Sequence, residues 1–235
     1  MTGVFVQVRL GSSRLPQKAL LELAGRPMIE HAMRSLARLP ASVHALVTDS
    51  GSAARLEEPA SRCGFRVFAG PEDDVLERYV LASRRFGVDE IVRATGDNPL
   101  VSWELARMAV AARRRHGADF LAYDGPPLGT GVEVVRAAAL EVALAESRDR
   151  YDAEHVSPFL YRHPERFRCV RLTAPAAYRY EKGRVTIDTQ EDFERIAGLM
   201  RELYDGSPVP VIRLVRRLRS AAQPRESGHV CAPRA

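Results

Sequence analysis

Short apolar runs alternate with helical patterns over the first half of this chain, and this alternation restricts the possible folds more than any other feature. The runs that begin at Val4, Val43 and Phe65 are each followed by a segment with apolar residues at helical spacing. A further run, DEIVRAT, precedes the helical segment WELARMAVAARRRHG. Strands that alternate with helices predict a mostly parallel sheet covered by helices on both faces. The predicted fold class is therefore α/β, a Rossmann-like three-layer sandwich.

The second half of the sequence is less regular. The segment ADFLAYDGPPLGTGVEVV predicts two strands joined by a loop rich in glycine and proline, and RAAALEVALAES predicts a helix. RCVRLTA and GRVTID are typical of two more strands, and TQEDFERIAGLMRELY of an amphipathic helix capped by Thr189. We predict a single domain over residues 1–219, with an insert at about residues 123–183 and a disordered tail over residues 220–235.

Composition and charge exclude several classes of protein. The formal net charge is +5, but residues 201–235 hold seven arginines against three acidic residues, so the rest of the chain is nearly neutral. This basic stretch lacks interleaved aromatic residues, so we expect no nucleic-acid partner. Cys63, Cys169 and Cys231 are far apart, which is typical of free thiols in a reducing compartment. No apolar run is long enough to span a bilayer, and we expect a cytoplasmic protein without a membrane partner.

The segment VRLGSSRLPQKAL directly follows the first predicted strand. Ligands of open α/β sheets bind beyond the carboxyl ends of the strands, where this segment lies. Its composition suits a polyphosphate, because a glycine admits close backbone approach, cations offset charge and hydroxyls donate hydrogen bonds. The residues concerned are Arg9, Gly11, Ser12, Ser13, Arg14 and Lys18. A surface loop with scattered basic residues remains the alternative, since the spacing of the Walker loop is absent.

Two aspartates follow predicted strands. Asp97 lies in ATGDNPLV, where Gly96 and Pro99 turn the chain sharply, and Asp188 lies in TIDTQEDF just before a helix. Magnesium at nucleotide sites is usually held by one or two carboxylates together with phosphate oxygens, and this pair could supply them. The alternative for each is a turn or helix-capping aspartate.

The order of residues from Arg9 to Lys18 resembles the R-x-x-S-x-R-L-P-G-K signature of the CMP-sugar-acid synthetases, the family that includes 3-deoxy-manno-octulosonate cytidylyltransferase. Within that family the similarity is greatest to the spore coat polysaccharide biosynthesis protein F group. Five more segments match in the same order: GRPMIEHAMRSL, PEDDVLERY, RATGDNPLV, EHVSPFLYRHPERF and TIDTQEDFERI. The resemblance covers most of residues 3–200.

This resemblance implies a fold of the nucleotide-diphospho-sugar transferase type with a small acceptor lobe. It implies transfer of CMP from CTP to a small anionic acceptor such as a sugar acid, with release of pyrophosphate, in surface polysaccharide or glycoconjugate biosynthesis. Mg²⁺ would be the cofactor, held by Asp97 and Asp188, and these would form the catalytic group with Arg14 and Lys18. The oligomeric state stays open, with a homodimer among the alternatives.

Further positions are assigned by the resemblance alone. Thr48, Asp49 and Asp74 match positions where the family recognises the base and ribose, and Gly96 lies in its nucleotide-binding segment. Glu133 and His155 match positions in the acceptor half. Helix capping is the alternative for the first three, and a structural role is the alternative for Glu133 and His155.

One departure from the signature concerns Gln17, which stands where the family usually has glycine. Glycine at such a position often serves a left-handed backbone. Two other functions remain as alternatives: a nucleotide-sugar-dependent glycosyltransferase, which has the same broad nucleotide-binding architecture, and a catalytically silent nucleotide-binding homologue, which Gln17 leaves open. The first commonly uses an Asp-x-Asp pair, which this sequence lacks.

Overall fold

The computed structural model describes residues 1–222, which form a seven-stranded sheet with helices on both faces. The sheet has the order β5-β4-β1-β6-β8-β7-β9, and β2 and β3 form a separate short hairpin. The strands are β1 (Thr2–Gln7), β2 (Glu22–Leu23), β3 (Arg26–Pro27), β4 (Val43–Asp49), β5 (Arg66–Gly70), β6 (Glu90–Thr95), β7 (Phe120–Asp124), β8 (Glu133–Arg136) and β9 (Cys169–Thr173). The helices are α1 (Met28–Leu36), α2 (Ser50–Arg62), α3 (Val75–Phe86), α4 (Trp103–His116), α5 (Ala137–Glu146), α6 (Arg150–His155), α7 (Pro158–Arg162), α8 (Gln190–Leu203) and α9 (Val211–Ala222).

Strands β5, β4, β1 and β6 run parallel, so their carboxyl ends meet at one edge of the sheet. The near-continuous burial of β1 and β4 matches their apolar runs, because a strand covered on both faces needs no polar alternation, whereas β5 at the edge of the sheet is only half-buried or exposed. β8 is antiparallel to both of its neighbours, whereas β7 and β9 are parallel to one another. The predicted mostly parallel α/β sheet is therefore confirmed.

Residues 123–183, which the sequence predicts as an insert, contribute β8 and β9 to this same sheet. Part of this segment therefore belongs to the central sheet. A loop after β7 leads into β8, which inserts between β6 and β7 and brings the end of that loop beside the end of β6. This placement brings the second half of the chain to the edge of the sheet where the parallel strands of the first half end.

The prediction of a strand over GRVTID is wrong. This segment makes a single isolated bridge, between Arg184 and Leu128, and no ladder. Val185 and Ile187 are fully buried beneath α8, which explains their alternation without a strand partner. The backbone of Ile187 instead donates a hydrogen bond to the carbonyl of Asp97 at 3.0 Å. The segment therefore ties the start of α8 to the loop after β6.

The C-terminal helix α9 also departs from the sequence analysis. It runs to Ala222, so the first three residues of the predicted tail are helical. Its apolar face packs Val211 and Val215 in one apolar cluster and Leu214 in another, which the basic composition of this stretch obscured. The remainder of the predicted tail lies outside the described residues. No helix within residues 1–222 has the length and apolar character that crossing a membrane requires.

Candidate functional site

A cleft of about 390 Å³ opens at the carboxyl ends of β1 and β6. The predicted phosphate loop forms one wall of it, the loop after β6 forms another, and the sides are closed by the start of α3, by α6 and by the segment before α8. Its lining comprises Gln7, Val8, Arg9, Ser12, Ser13, Arg14, Lys18, Ala19, Glu72, Val75, Arg78, Thr95, Gly96, Asp97, Glu154, His155 and Asp188. The structure thus brings the two predicted aspartates and the predicted cations into one cavity.

The loop after β1 is held in place by hydrogen bonds to its backbone. Leu10 accepts from the backbone amides of Ser12 at 2.9 Å and of Gln17 at 3.2 Å, and its own amide donates to Ser52 Oγ at 3.0 Å. The loop ends in a short 3-10 helix, Lys18–Leu20, whose Ala19 is buried. Gly11 belongs to the loop but is absent from the cleft lining, and a side chain there would meet nothing within 4 Å.

The ammonium of Lys18 lies among three oxygen atoms. Lys18 Nζ donates to the carbonyl oxygen of Ile187 at 2.6 Å and to Asp188 Oδ1 at 3.1 Å, and it lies 3.4 Å from Asp97 Oδ2. The side chain is 14% exposed. The two aspartates therefore converge on a single cation that the chain itself supplies.

Asp188 is surrounded by further cations. Its Oδ1 lies 3.3 Å from Arg14 Nη2, and its Oδ2 accepts from Arg184 Nη2 at 2.7 Å. The helix that follows does not need this carboxylate, because α8 begins with a capping box formed by Thr189 and Asp192. Hydrogen bonds from Arg195 and from backbone amides outweigh desolvation and lower the pKa of Asp192 to about 2. The capping function thus belongs to Thr189 and Asp192, and the Asp188 side chain faces the cleft.

The donor set around Lys18 Nζ suits a hard divalent cation. Two carboxylate oxygens and one carbonyl oxygen already converge on a positive charge, and oxygen atoms are the ligands that Mg²⁺ prefers. Within residues 1–222, no group of three or more His, Cys, Asp and Glu side chains could hold a metal ion by itself. A cation bound at this position would complete its coordination with waters or with phosphate oxygens of a ligand.

Gly96 is required by packing at this edge. A Cβ atom there would lie 2.8 Å from Ile29 Cδ1 and 2.9 Å from Val8 Cβ, closer than such atoms can approach. The loop after β6 therefore lies directly against the end of β1 and against α1. This contact fixes the position of Asp97, whose Oδ1 also accepts from Thr95 Oγ1 at 2.6 Å.

Gln17 adopts the left-handed backbone that the family's glycine would serve, with φ 55° and ψ 26°. Its Oε1 accepts a hydrogen bond from Arg55 Nη2 at 2.8 Å, which anchors the side chain on α2. A left-handed conformation costs a non-glycine residue roughly 1–2 kcal/mol. The loop thus follows a glycine-like path despite the substitution.

Gln17→Gly is expected to leave stability close to that of the parent, because relief of the left-handed strain offsets the lost hydrogen bond to Arg55 and the greater freedom of the unfolded chain. Gln17→Val is expected to lower the free energy of unfolding by about 1–2 kcal/mol or more, since a β-branched residue is poorly tolerated at positive φ. Urea unfolding of both variants measures the difference. Equal stability of the two variants would show that position 17 is not left-handed.

Three positions that the resemblance assigns to the base and ribose do not line this cleft. Thr48 is fully buried within β4. Asp49 caps α2 by accepting from the Ser52 amide at 2.8 Å, and Asp74 caps α3 by accepting from the Glu77 amide at 2.7 Å. For both aspartates the geometry is that of the capping alternative.

Glu133 and His155 lie in different cavities. His155 lines the cleft described above, whereas Glu133 lines a neighbouring cavity of about 240 Å³ beside the loop between β7 and β8. Glu133 Oε2 accepts from Arg93 Nη1 at 2.7 Å and from Ser157 Oγ at 2.7 Å. The attraction of Glu133 outweighs desolvation and raises the pKa of the buried Arg93 guanidinium. Glu133 is therefore half of a partly buried ion pair at the wall of a second cavity.

Sequence reasoning missed several residues of the site. Arg78 is almost fully buried, and its guanidinium donates to the carbonyl oxygens of Pro71 and Glu72, which fixes the loop before α3. Burial lowers the pKa of this guanidinium. Gln7 accepts from Arg93 Nη2 at 2.8 Å and so connects the two cavities. Gln7 and Thr95 could have been identified from the sequence, because each is a polar residue at the end of a predicted strand.

A mostly parallel sheet with a cation-lined cleft at its carboxyl edge is the arrangement of the α/β nucleotide-binding proteins. Comparison with known proteins identifies the family within this class. The chain belongs to the cytidylyltransferase family, whose family model matches residues 4–212.

Individual relatives agree with this assignment. The chain is 34% identical over 232 residues to the spore coat polysaccharide biosynthesis protein SpsF of Bacillus subtilis, covering 94% of this chain and 97% of that protein. It is 31% identical over 118 residues to a 3-deoxy-manno-octulosonate cytidylyltransferase of Chlorobium chlorochromatii, covering 46% of this chain and 43% of that protein. A cytidylyltransferase structure from Leptospira borgpetersenii superposes with a TM-score of 0.85 at 25% identity, covering 94% of each chain. The family resemblance inferred from the sequence motifs is confirmed.

Proposed function

We propose that this protein transfers CMP from CTP to a sugar acid or a related small anionic acceptor and releases pyrophosphate, in the synthesis of a surface polysaccharide or glycoconjugate. The observation that carries the proposal is the convergence of Lys18, Asp97 and Asp188 beside the cation-rich loop after β1, in a chain of the cytidylyltransferase family. The name of the SpsF relative supports the polysaccharide context.

The cations and the hydroxyls of the cleft have different roles in binding the nucleotide. Arg9, Arg14 and Lys18 offset the charge of the triphosphate, and the hydroxyls of Ser12 and Ser13 donate hydrogen bonds to its oxygens. Positioning and charge stabilisation dominate phosphoryl transfer, so this constellation needs no covalent nucleophile.

Asp97 and Asp188 are the residues that would hold Mg²⁺. When bound, the ion supplies charge neutralisation at the reacting phosphates and at the pyrophosphate leaving group. The carbonyl oxygen of Ile187 lies within reach of the same position. The rigid packing of Gly96 against Val8 keeps Asp97 at a fixed place relative to the phosphate-binding loop.

The acceptor is assigned to the second cavity and to the wall that it shares with the cleft. Glu133 Oε2 accepts from Arg93 and Ser157 and lines the second cavity, Thr95 lines both cavities, and His155 lines the cleft. Leu128 is 56% exposed and lines the second cavity together with Pro126 and Pro127. This apolar wall supports an acceptor that combines polar groups with a carbon face.

CTP is expected to support turnover at least about tenfold better than ATP, GTP or UTP, a discrimination of about 1.4 kcal/mol. A small pocket that pairs with the edge of one base leaves polar groups unpaired when another base enters, which is the physical reason for the preference. The measurement is pyrophosphate release with each nucleotide, Mg²⁺ and a panel of sugar acids and phosphonates. Equal turnover with a second nucleotide would reject the assignment to CTP.

The same assay, together with calorimetric titration of CTP, separates the alternative functions. A nucleotide-sugar-dependent glycosyltransferase releases a nucleotide and no pyrophosphate. A silent homologue binds CTP in calorimetry and turns over no acceptor of the panel. Pyrophosphate formed only in the presence of both CTP and an acceptor identifies nucleotidyl transfer.

A further inference from the structure

Lys18 is unusual in the basic composition of this chain. Of the 35 lysines and arginines, only the residues at positions 18 and 182 are lysine. Lys182 is exposed, whereas Lys18 is nearly buried among carboxylate and carbonyl oxygens. A chain that uses arginine almost everywhere else thus places an ammonium at the centre of its candidate site.

The two kinds of cation differ in how firmly they hold an anion. A guanidinium holds a carboxylate through a rigid planar fork, whereas an ammonium is a point charge on a flexible stem with rotatable donors. Lys18 can therefore exchange one set of oxygen partners for another by rotating its side chain. The backbone need not follow, because Ala19 is buried in the core and the amide of Leu20 donates to the Gln17 carbonyl at 2.8 Å.

Asp188 keeps cationic partners when Lys18 leaves. Arg184 Nη2 lies 2.7 Å from its Oδ2, and Arg14 Nη2 lies 3.3 Å from its Oδ1. Asp97 keeps the hydrogen bond from Thr95 Oγ1. Departure of the ammonium thus frees Asp97 Oδ2 and the Ile187 carbonyl oxygen, and it leaves Asp188 Oδ1 with only the longer contact to Arg14.

We propose that Lys18 is an internal counter-ion that occupies the divalent-cation position, and that the triphosphate must draw it away before a metal ion can bind between Asp97 and Asp188. This inference rests on the proposed function, because it takes the ligands to be CTP and Mg²⁺. The ammonium and the metal ion compete for the same oxygens, and the phosphates offer the ammonium an alternative partner.

The consequence is positive coupling between nucleotide and metal. A ligand that removes the competitor of another ligand raises its affinity, and the effect is reciprocal. The metal ion therefore enters with the nucleotide or after it, and the free protein binds divalent cations weakly. In the ligand-free protein the Lys18 ammonium also reduces the mutual repulsion of the two carboxylates.

Lysine-selective ¹³C labelling tests the displacement directly in the full chain. Only two Cε signals are expected, and that of exposed Lys182 serves as an internal reference. The Lys18 signal is expected to stay in place when Mg²⁺ is added alone and to shift when CTP and Mg²⁺ are added together without an acceptor. A Lys18 signal that stays in place while calorimetry shows CTP and Mg²⁺ bound would overturn this inference, as would one that Mg²⁺ alone shifts to the same extent.

Direct metal binding provides a second test with a matched control. Mn²⁺ binding without nucleotide, followed by electron paramagnetic resonance, is expected to tighten by about tenfold in Lys18→Met, within the range typical of coupling between two ligands. In Arg184→Met, which removes one charge from Asp188 but leaves Lys18, the gain is expected to be roughly twofold, as for an exposed ion pair. Equal gains in the two variants, or none in Lys18→Met, would contradict the proposal.

The design separates this inference from the function on which it rests. Neither readout needs an acceptor, so failure of every acceptor to react would count against the proposed transfer and leave the displacement of Lys18 intact. Melting temperatures establish whether both variants fold. If Lys18→Met does not fold, the labelling experiment on the parent protein tests the displacement of Lys18 by itself.

Discussion

Asp97→Asn and Asp188→Asn are each expected to lower Mg²⁺-dependent turnover by about three orders of magnitude, equivalent to about 4 kcal/mol of transition-state stabilisation, while the protein stays folded. An amide keeps the size of the carboxylate and part of its hydrogen bonding but loses the charge that a hard cation requires. The loss is therefore expected in the rate rather than in the melting temperature.

The structure explains why the fold should tolerate both changes. The cap of α8 is formed by Thr189 and Asp192, so Asp188→Asn leaves it intact. The turn around Asp97 is held by the close packing of Gly96 and by the Ile187 amide, which donates to the Asp97 carbonyl rather than to its carboxylate. Neither carboxylate is needed to hold its own segment in place.

Turnover across a range of Mg²⁺ concentrations, with melting temperature measured in parallel, checks this prediction. Asp192→Asn is the matched control, because it changes a carboxylate four residues away that caps the helix. This control is expected to lower stability and to leave turnover by the folded protein largely intact. Near-parental turnover in Asp188→Asn would return that residue to a structural role and require a different second ligand.

Lys18→Ala is expected to weaken CTP binding by about 1.5–3 kcal/mol, the range for a hydrogen bond to a charged group, or roughly 10- to 150-fold. The ammonium is the most buried cation of the Asp97–Asp188 cluster, and under the proposed function it would pair with the phosphates once it is released. Arg14→Ala is expected to act in the same direction with a smaller effect, because the Arg14 side chain is 67% exposed and partly screened by solvent.

Calorimetric titration with CTP at saturating Mg²⁺ measures both effects. Lys182→Ala serves as the control, since it removes the other lysine from an exposed position outside the cleft lining. Parental affinity in both Lys18→Ala and Arg14→Ala would contradict the assignment of the loop after β1 to phosphate binding. Together with the Mn²⁺ measurement, opposite effects of removing Lys18 on nucleotide and metal would identify it as a shared partner of both.

Two parts of the site that sequence reasoning located, the loop after β1 and Asp97, each follow a strand that its own apolar pattern predicts, so the chain leaves the sheet at a known edge. Asp188 differs, because the segment before it forms no strand. The loop after β1 and Asp97 after β6 could be predicted to meet because parallel neighbours end on the same side. The glycine signature was also sufficient to identify position 17 as special, and Gln17 indeed keeps the left-handed backbone.

Other assignments could not be separated from their alternatives in the sequence, because capping and recognition use the same residue types. Asp49 and Asp74 stand at the starts of helices, where an aspartate satisfies orphan amides whatever else is nearby. Their local sequence is compatible with either role, and only the direction of the side chain separates the two. The pairing of Glu133 with Arg93 is likewise invisible in the sequence, because it joins positions 40 residues apart on adjacent antiparallel strands.

The sequence by itself determined the order of strands and helices in the first half, the family, and the residue types of the loop after β1, since these depend on local pattern and on motifs contiguous in the chain. Only the tertiary structure decided that GRVTID packs beneath α8 without a strand partner, that β8 inserts between β6 and β7, and that Lys18 lies between Asp97 and Asp188. These features rest on contacts between residues 79 and 170 positions apart in the case of Lys18. Burial and charge pairing over such separations depend on how the whole chain packs, and no local propensity encodes them.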